Sequence, residues 1–265
     1  MQTSQLAESK ESKESKEPKE PKFSLMMTAY NNVMYLKAAI DSVKAQTYDN
    51  WELIVQDDCS TDGTYELAWA LAQQEPRIKV FRNSQNLGVP KSRANAMKNC
   101  TGEYIGHIDS DDMLFPFTLS VVEGFFNKHP NTALVYSDMA DMDANGNVFG
   151  YRASKNSGEN LGNYGWKHFG AYRRTAYEQV TGYNETLPCA CEDGDLFMQI
   201  ADKFEFARIP MVLYIYRNHT TNTSTKNKKC EDCPARTTTC NFSRIWAKHV
   251  GYDLVTWKPL QSSNA

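Results

Sequence analysis

The stretch TGEYIGHIDSDD, residues 101–112, decides the fold. Its first half, Glu103–Ile108, is a short apolar run of the kind that forms a buried strand. Three acids follow at once: Asp109, Asp111 and Asp112. In an open α/β sheet, ligands bind outside the carboxyl ends of the strands. Acids placed directly after a buried strand therefore predict such a sheet and mark one end of that strand as a ligand site.

Three further apolar runs precede this stretch, and each is bounded by Asn, Asp or Gly. The stretches between them carry apolar residues at helical spacing, and Asn31-Asn32 precedes the first of these as a candidate N-cap. Strands that alternate with helices in this way predict βα units and a mostly parallel sheet with helices on both faces. The predicted strands are Phe23–Thr28, Trp51–Gln56 and Ile78–Arg82.

The second half of the chain is less regular and predicts mixed or antiparallel additions to the sheet. We expect strands at Ala133–Ser137, Glu205–Arg208 and Met211–Tyr216, and a helix near Asp195–Lys203. Residues 220–239 are polar and rich in lysine, which is typical of a loop.

Composition excludes several classes of protein. The chain has 265 residues, a formal net charge of -3 and no apolar run near the roughly 20 residues that a membrane span needs. Near-neutral charge argues against a non-specific nucleic-acid binder or a polybasic membrane anchor. The polar start carries no export signal, so a cytoplasmic protein with reduced cysteines is expected.

The chain divides into three predicted parts. Residues 1–22 include five charged triplets with no apolar residue, a composition that cannot offset its ordering entropy, and are expected to be a disordered tail. Residues 23–224 form the predicted α/β domain. Residues 225–265 are a C-terminal extension with a cysteine-containing loop and a short helix.

A second acid cluster, Asp57-Asp58, follows the second predicted strand. Parallel neighbours place this cluster and the Asp109–Asp112 cluster in the same crevice. Clustered carboxylates repel one another unless a cation or a set of donors lies between them. A hard divalent metal together with a diphosphate is the natural occupant.

The order and spacing of these motifs resemble family 2 glycosyltransferases of the GT-A fold, a Rossmann-like, mostly parallel sheet flanked by helices, over about residues 23 to 224. Thr28 stands where that family commonly has Pro, and Cys59 where it usually has Gly. The matching segments are MMTAYN (26–31), VQDDCSTDGT (55–64), NLGVPKSRAN (86–95), TGEYIGHIDSDD (101–112), RR (173–174), GYN (182–184), EDGDL (192–196) and YRNH (216–219).

The resemblance implies a donor site and a metal site. Asp58 would accept from a pyrimidine imide, Arg93 would hold the base or the diphosphate, and Asp109 would contact ribose and metal. Asp111 would hold Mg²⁺ or Mn²⁺ between the donor phosphates, with His219 as a third ligand, although a lone loop His is as often solvated. The remaining predicted nucleotide-sugar contacts are Thr28, Ala29, Tyr30 and Ser110.

Asp193 is the predicted general base, with Glu192 as the close alternative. Asp193 lies at the head of a predicted helix, where the dipole favours an ionised carboxylate, and it matches the acid that deprotonates the acceptor in the family. With the base on one face of the anomeric carbon and the diphosphate on the other, a single displacement inverts the configuration.

Structural roles compete with functional ones at several positions. Asp57, Asp62 and Asp112 are more often turn or cap residues than ligands, and His107 is expected to be a satisfied core residue. Core packing is likewise the favoured role of three aromatic residues that could instead stack on a sugar. These are Tyr164, Trp166 and Phe169.

The cysteines depart from the family pattern. Cys230 and Cys233 have the spacing of a zinc half-site, and Cys189 with Cys191 could complete a structural Zn²⁺ site near the predicted base. Unpaired loop thiols are the favoured alternative because Cys-x-Cys is a poor half-site.

The predicted function is inverting, metal-dependent sugar transfer from a nucleotide diphosphate donor, with UDP as the expected nucleotide, by a hexosyl- or N-acetylhexosaminyltransferase. The acceptor is a glycan, a lipid-linked glycan or another hydroxyl compound. One alternative is a nucleotidyltransferase, but the sequence has no recognisable Gly-rich triphosphate loop. The other is a non-catalytic module that binds sugar nucleotides or is an interaction module held together by zinc.

Overall fold

The computed structural model describes residues 20–154, 169–187, 192–220 and 222. These residues build one nine-stranded sheet with helices on both faces. The strands are β1 Phe23–Ala29, β2 Trp51–Asp57, β3 Ile78–Arg82, β4 Tyr104–His107, β5 Met113–Leu114, β6 Thr132–Met142, β7 Val148–Arg152, β8 Gly170–Arg173 and β9 Glu205–Arg217. The helices are α1 Val33–Lys44, α2 Thr64–Ala72, α3 Val89–Met97, α4 Thr118–Lys128, α5 Arg174–Tyr177 and α6 Glu192–Ala201.

The first half of the sheet is parallel, as the sequence predicts. Strand β1 pairs in parallel with β2 and β4, and β2 pairs in parallel with β3. Every residue of β2 is buried, and β1 is buried except for the half-covered Thr28. Burial on both faces explains why these strands are continuous apolar runs.

The second half of the sheet is mixed, which confirms the expected antiparallel additions. Strand β8 lies antiparallel between β4 and β6, while β6 and β9 are parallel. Only β5, β7 and β8 oppose the common direction among the described strands. The carboxyl ends of β1, β2, β4, β6 and β9 therefore lie along one edge of the sheet.

Strand β9 is continuous where the sequence predicts two strands. Its pairing with β6 jumps from Ile209 opposite Ser137 to Val212 opposite Asp138, so Pro210 and Met211 are left outside the ladder. Proline cannot donate to a ladder and is tolerated at such a bulge. The proline that divides the two predicted strands thus interrupts only the pairing.

Asn32 is the N-cap residue of α1, as the sequence predicts, but its side chain makes no cap hydrogen bond. The Val33 amide donates instead to Oδ2 of Asp62, while Oδ1 of Asp62 accepts from the Thr64 amide at the start of α2. One carboxylate thus caps two helices, a contact between the ends of two βα units that local sequence does not reveal.

The two faces of the sheet carry separate cores. Leu25 and Val55 face the core that is covered by α1, α2 and α4, whereas Met26, Ile54 and Ile105 face the one covered by α3 and α6. Among the described residues, no helix has the length and apolar character needed to cross a membrane. The predicted tail, up to residue 19, and the 225–265 extension lie outside the described residues.

Candidate active site

The predicted site segments meet at the carboxyl edge of the sheet. Thr28, Ala29 and Tyr30 come at the end of β1, Asp58 follows β2, and the 109–112 loop follows β4. Because these three strands are parallel neighbours, their ends are adjacent. The end of β9 delivers residues 217–219 to the same edge.

The last residues of β9 hold the acidic loop. The Tyr214 hydroxyl donates to Oδ2 of Asp112 at 2.7 Å and accepts from the Asp109 amide at 3.1 Å. Arg217 donates its amide to Oδ1 of Asp112 at 2.7 Å and its Nε to the Asp111 carbonyl at 2.8 Å. Asp112 is therefore a buried structural acid, as the sequence predicts, and it fixes the shape of the loop.

His219 is brought directly onto the acidic loop. Its Nε2 lies 2.8 Å from Oδ2 of Asp111, its ring packs on Tyr35 with centroids 4.6 Å apart, and its backbone amide donates to Oδ1 of Asn222 at 2.6 Å. Burial and the charge of Asp109 raise the pKa of Asp111, although His219 opposes the shift. A cation here would relieve the repulsion between the two carboxylates.

Asp109 is turned toward Arg93 instead of toward the Asp111–His219 pair. Its Oδ1 accepts from Nη2 of Arg93 at 2.8 Å. In the part of the chain that the structure describes, no group of three His, Cys, Asp or Glu side chains is placed to hold a metal ion. The predicted ligands thus form a pair, Asp111 with His219, and Asp109 stands beside it.

Arg93 links the acidic loop to the start of α6. Its Nε donates to Oε1 of Glu192 at 2.8 Å, while Nη2 holds Asp109. Arg93 and Glu192 are each only 3% exposed, so this ion pair is shielded from water. The family resemblance implies that Arg93 contacts the nucleotide, and in the structure its hydrogen-bond partners are Glu192 and Asp109.

Burial governs the electrostatics of this link. It raises the pKa of Glu192 to about 7, against the opposing charge of Arg93. Burial alone would lower the pKa of Arg93, but the charges of Asp109 and Glu192 outweigh it. Arg93 Nη1 and Glu192 Oε2 are buried without a hydrogen-bond partner among the described residues.

Asp193 is the more accessible of the two candidate bases. It is half-buried in the first turn of α6, and its Oδ1 accepts from the Gly194 amide at 2.7 Å. Glu192, beside it, is enclosed and engaged by Arg93. The structure therefore separates two adjacent acids into one that faces partly outward and one that is buried.

Asp58 holds the loop before α3. Its Oδ1 accepts from Asn83 Nδ2 and from the Leu87 amide, and its Oδ2 accepts from the Gly88 amide, each at 2.8 Å. Its predicted contact with a pyrimidine stays a prediction. The neighbouring Tyr30 ring is half exposed, and Ser110 accepts from Asn32 Nδ2 at 2.9 Å.

The residues that are predicted to have structural roles make structural contacts. Asp57 accepts from the Ser60 amide at 3.0 Å and pairs with Arg82, and Asp62 caps two helices. His107 and Phe169 are each 1% exposed. Tyr164, Trp166 and the four cysteines of the predicted zinc site, Cys189, Cys191, Cys230 and Cys233, lie outside the described residues.

Three residues of the site, Tyr214, Arg217 and Tyr35, are not among those predicted from the sequence. Arg217 lies in the YRNH segment, so a signal is present, yet its bonds to the acidic loop depend on how β9 is placed. No local pattern marks Tyr214 or Tyr35, because both act through contacts with residues distant in sequence.

The sequence is similar to those of known glycosyltransferases. Residues 24–181 match the sequence model of Glycosyl transferase family 2. The chain is 31% identical to an Escherichia coli chondroitin synthase over 206 residues, which are 77% of this chain and 30% of that protein. It is 37% identical to the putative glycosyltransferase EpsE of Bacillus subtilis over 135 residues, 51% of this chain and 47% of that one. The chain spans less than half the length of both relatives.

Solved structures agree on the fold. The S. aureus TarS structure superposes with a TM-score of 0.64 at 25% identity, covering 74% of this chain and 37% of TarS. TarS 1-349 in complex with UDP-GlcNAc gives 0.68 at 20% identity, covering 87% and 72%. The mannosyltransferase PcManGT from Pyrobaculum calidifontis, in complex with GDP-Man and Mn²⁺, gives 0.62 at 16% identity, covering 78% and 59%. The chain has the GT-A fold and belongs to glycosyl transferase family 2.

Proposed function

We propose that the protein transfers a sugar from a nucleoside diphosphate donor to an acceptor hydroxyl, with inversion at the anomeric carbon and with the help of a divalent metal. The observation that carries this proposal is the Arg93 bridge. It joins Asp109, after β4, to Glu192, at the start of α6, through two 2.8 Å hydrogen bonds. The acids expected at the leaving group and at the acceptor thereby belong to one connected site.

Asp193 is the proposed general base. It is half-buried in the first turn of α6, so an acceptor hydroxyl can reach it. A base must lie within hydrogen-bond reach of the proton that it abstracts. The enclosed Glu192 meets this requirement less well, and its bond to Arg93 suits it to holding the bridge.

Asp111 and His219 are the proposed metal ligands, with Asp109 close by. The chemistry of this donor set fits a divalent cation, since two carboxylates repel each other there and an imidazole nitrogen lies 2.8 Å from one of them. When bound, the metal would neutralise charge on the departing nucleoside diphosphate. The Mn²⁺ named for PcManGT supports this proposal.

UDP is the proposed nucleotide, since TarS 1-349 was solved in complex with UDP and with UDP-GlcNAc. Tyr30, half exposed at the end of β1, and Asp58, after β2, are the proposed contacts to the base. The donor sugar would then be a hexose or an N-acetylhexosamine. The acceptor is defined here only by its chemistry, a hydroxyl presented to Asp193.

The test is donor hydrolysis followed by proton NMR in the presence of Mn²⁺. The full chain is incubated with UDP-GlcNAc, UDP-Glc and GDP-Man in turn. Because these sugars are α-linked to the diphosphate, in-line attack by water predicts that the β-anomer of the free sugar accumulates first for UDP-GlcNAc or UDP-Glc. First release of the α-anomer would contradict inversion, and no turnover of any of the three donors would contradict transferase activity.

A further inference from the structure

A buried hydrogen bond joins β4 to the segment that precedes α6. The Tyr183 hydroxyl oxygen lies 2.7 Å from Nε2 of His107, the last residue of β4 and two residues before Asp109. Tyr183 is 7% exposed and His107 is 1% exposed. Away from water, such a bond holds its partners firmly, because neither can exchange it for a solvent contact.

The Thr181–Tyr183 segment is in turn fixed to α6. Gln199 accepts from the Thr181 amide at 3.0 Å through Oε1 and donates to the Gly182 carbonyl at 3.0 Å through Nε2. The chain turns at Gly182, where φ is +81° and a Cβ would come within 2.8 Å of the Tyr177 hydroxyl. The position of Tyr183 is therefore set by α6 and by this turn.

Direct packing supports the same connection. The Phe197 ring of α6 stacks on the His107 ring with centroids 5.2 Å apart and planes 28° apart. The helix that carries Asp193 is thus joined at two levels to β4 and the loop after it. At the head of the helix, Arg93 bonds both Glu192 and Asp109. About two turns further along, Gln199 holds the segment whose Tyr183 bonds His107 of β4.

We propose that Tyr183 is a positioning residue: through its bond to His107 it sets the distance between the general base Asp193 and the donor-binding acids after β4. This inference rests on the proposed function. It gives a role to a hydroxyl that is enclosed by protein side chains and bonded to His107. Catalysis is sensitive to such distances, since a displacement of about 1 Å can cost about 10²-fold in rate.

The experiment measures Tyr183→Phe in the full chain. The readouts are kcat for hydrolysis of UDP-GlcNAc, or of whichever tested donor the wild type hydrolyses fastest, and the Kd of UDP by calorimetry, both with Mn²⁺. We expect kcat to fall about 10-fold while the Kd of UDP stays within about twofold. Tyr172→Phe is the matched control, because its hydroxyl lies 3.3 Å from that of Tyr183 and makes only a longer contact with His107 Nε2, 3.5 Å against 2.7 Å, and it belongs to β8. We expect that variant to stay within about twofold of wild type.

A double-mutant cycle separates positioning from general structural support. If Tyr183 acts through the base, Tyr183→Phe in an Asp193→Asn background should change kcat by less than about twofold. Full additivity of the two losses would overturn the proposal, as would equal losses in Tyr183→Phe and Tyr172→Phe.

A second variant guards against misfolding. Replacing both polar partners by apolar rings, His107→Phe with Tyr183→Phe, removes this donor and acceptor together and leaves the Tyr172 hydroxyl its contact with Met97 Sδ at 3.8 Å, so the fold should be preserved. A normal kcat in a folded double variant would overturn the positioning role alone. Absence of donor turnover in the wild type would instead overturn the proposed function, and the positioning role with it.

Discussion

Asp193 and Glu192 are adjacent in sequence, but their surroundings differ. Glu192 is 3% exposed and bonded to Arg93, whereas Asp193 is half-buried at the start of α6. We predict that Asp193→Asn lowers kcat by about 10²–10⁴-fold, because the amide keeps the shape but cannot take a proton. Donor affinity should stay within a few-fold, and steady-state kinetics with calorimetry measures both.

Glu192→Gln is the companion variant and should be milder if Glu192 only holds Arg93. A larger loss from Glu192→Gln than from Asp193→Asn would exchange the two roles. Near wild-type turnover in both variants would place the base elsewhere.

Sequence alone predicts which acids gather at the site but not how they are paired. The residues after β2 and β4 could be read from their position behind apolar runs. The choice of Arg93 as partner of both Asp109 and Glu192 could not, because Glu192 lies 99 positions away and the pairing depends on where α6 packs.

At the scale of elements, a buried carboxylate ties the strands together at the edge opposite the site. Glu52 is 3% exposed and accepts from Ser24 at 2.6 Å, from the Thr101 amide at 2.6 Å and from Lys79 at 2.7 Å. We predict that Glu52→Gln destabilises the fold by about 1–3 kcal/mol at pH 7, because bonds to a charged acceptor are lost. Urea unfolding measures this, and Glu66→Gln, on the exposed face of α2, should be silent.

The pH dependence of this contribution has a defined sign. Burial alone would raise the pKa of Glu52, but the hydrogen bonds from Lys79, Ser24 and Thr101 lower it overall. Stabilisation by Glu52 is therefore complete above its ordinary value of 4.5 and is lost as the pH falls through the lowered folded-state value. The gap between wild type and Glu52→Gln should shrink on acidification; a gap that widens would contradict the assignment.

The long apolar strands were predictable, whereas the short antiparallel ones were not. Strands β1 and β2 are buried on both faces and so carry an unbroken signal. Strand β8 has four residues, and it exists because β4 and β6 pair with it from either side. Its first residue, Gly170, has to be a glycine, because the Phe197 ring lies 2.4 Å from where a Cβ would be. Such requirements arise only once the sheet is assembled.

At the scale of the whole molecule, Lys22, which the sequence assigns to the disordered tail, is hydrogen-bonded to the sheet. Its amide donates to the Asn50 carbonyl at 3.1 Å, its carbonyl accepts from the Tyr104 amide at 2.9 Å, and its side chain pairs with Glu103. We predict that deleting residues 1–19 leaves Tm unchanged, whereas deleting 1–22 costs about 1–2 kcal/mol, or about 2–4 °C. Differential scanning calorimetry compares the two truncations. A drop of several degrees on deleting residues 1–19 would show that the tail docks on the domain.

The proposed function depends on a metal-assisted diphosphate site at the carboxyl edge of the sheet. The most direct measurement is calorimetric titration of UDP into the full chain, once in Mn²⁺ and once in EDTA. We predict that Mn²⁺ strengthens UDP binding by on the order of tenfold or more, because the cation offsets repulsion between the diphosphate and the carboxylates. Asp111→Ala should abolish this gain, and Asp41→Ala, an exposed acid on α1, should keep it. Equal affinity of the wild type for UDP in Mn²⁺ and in EDTA would contradict the account.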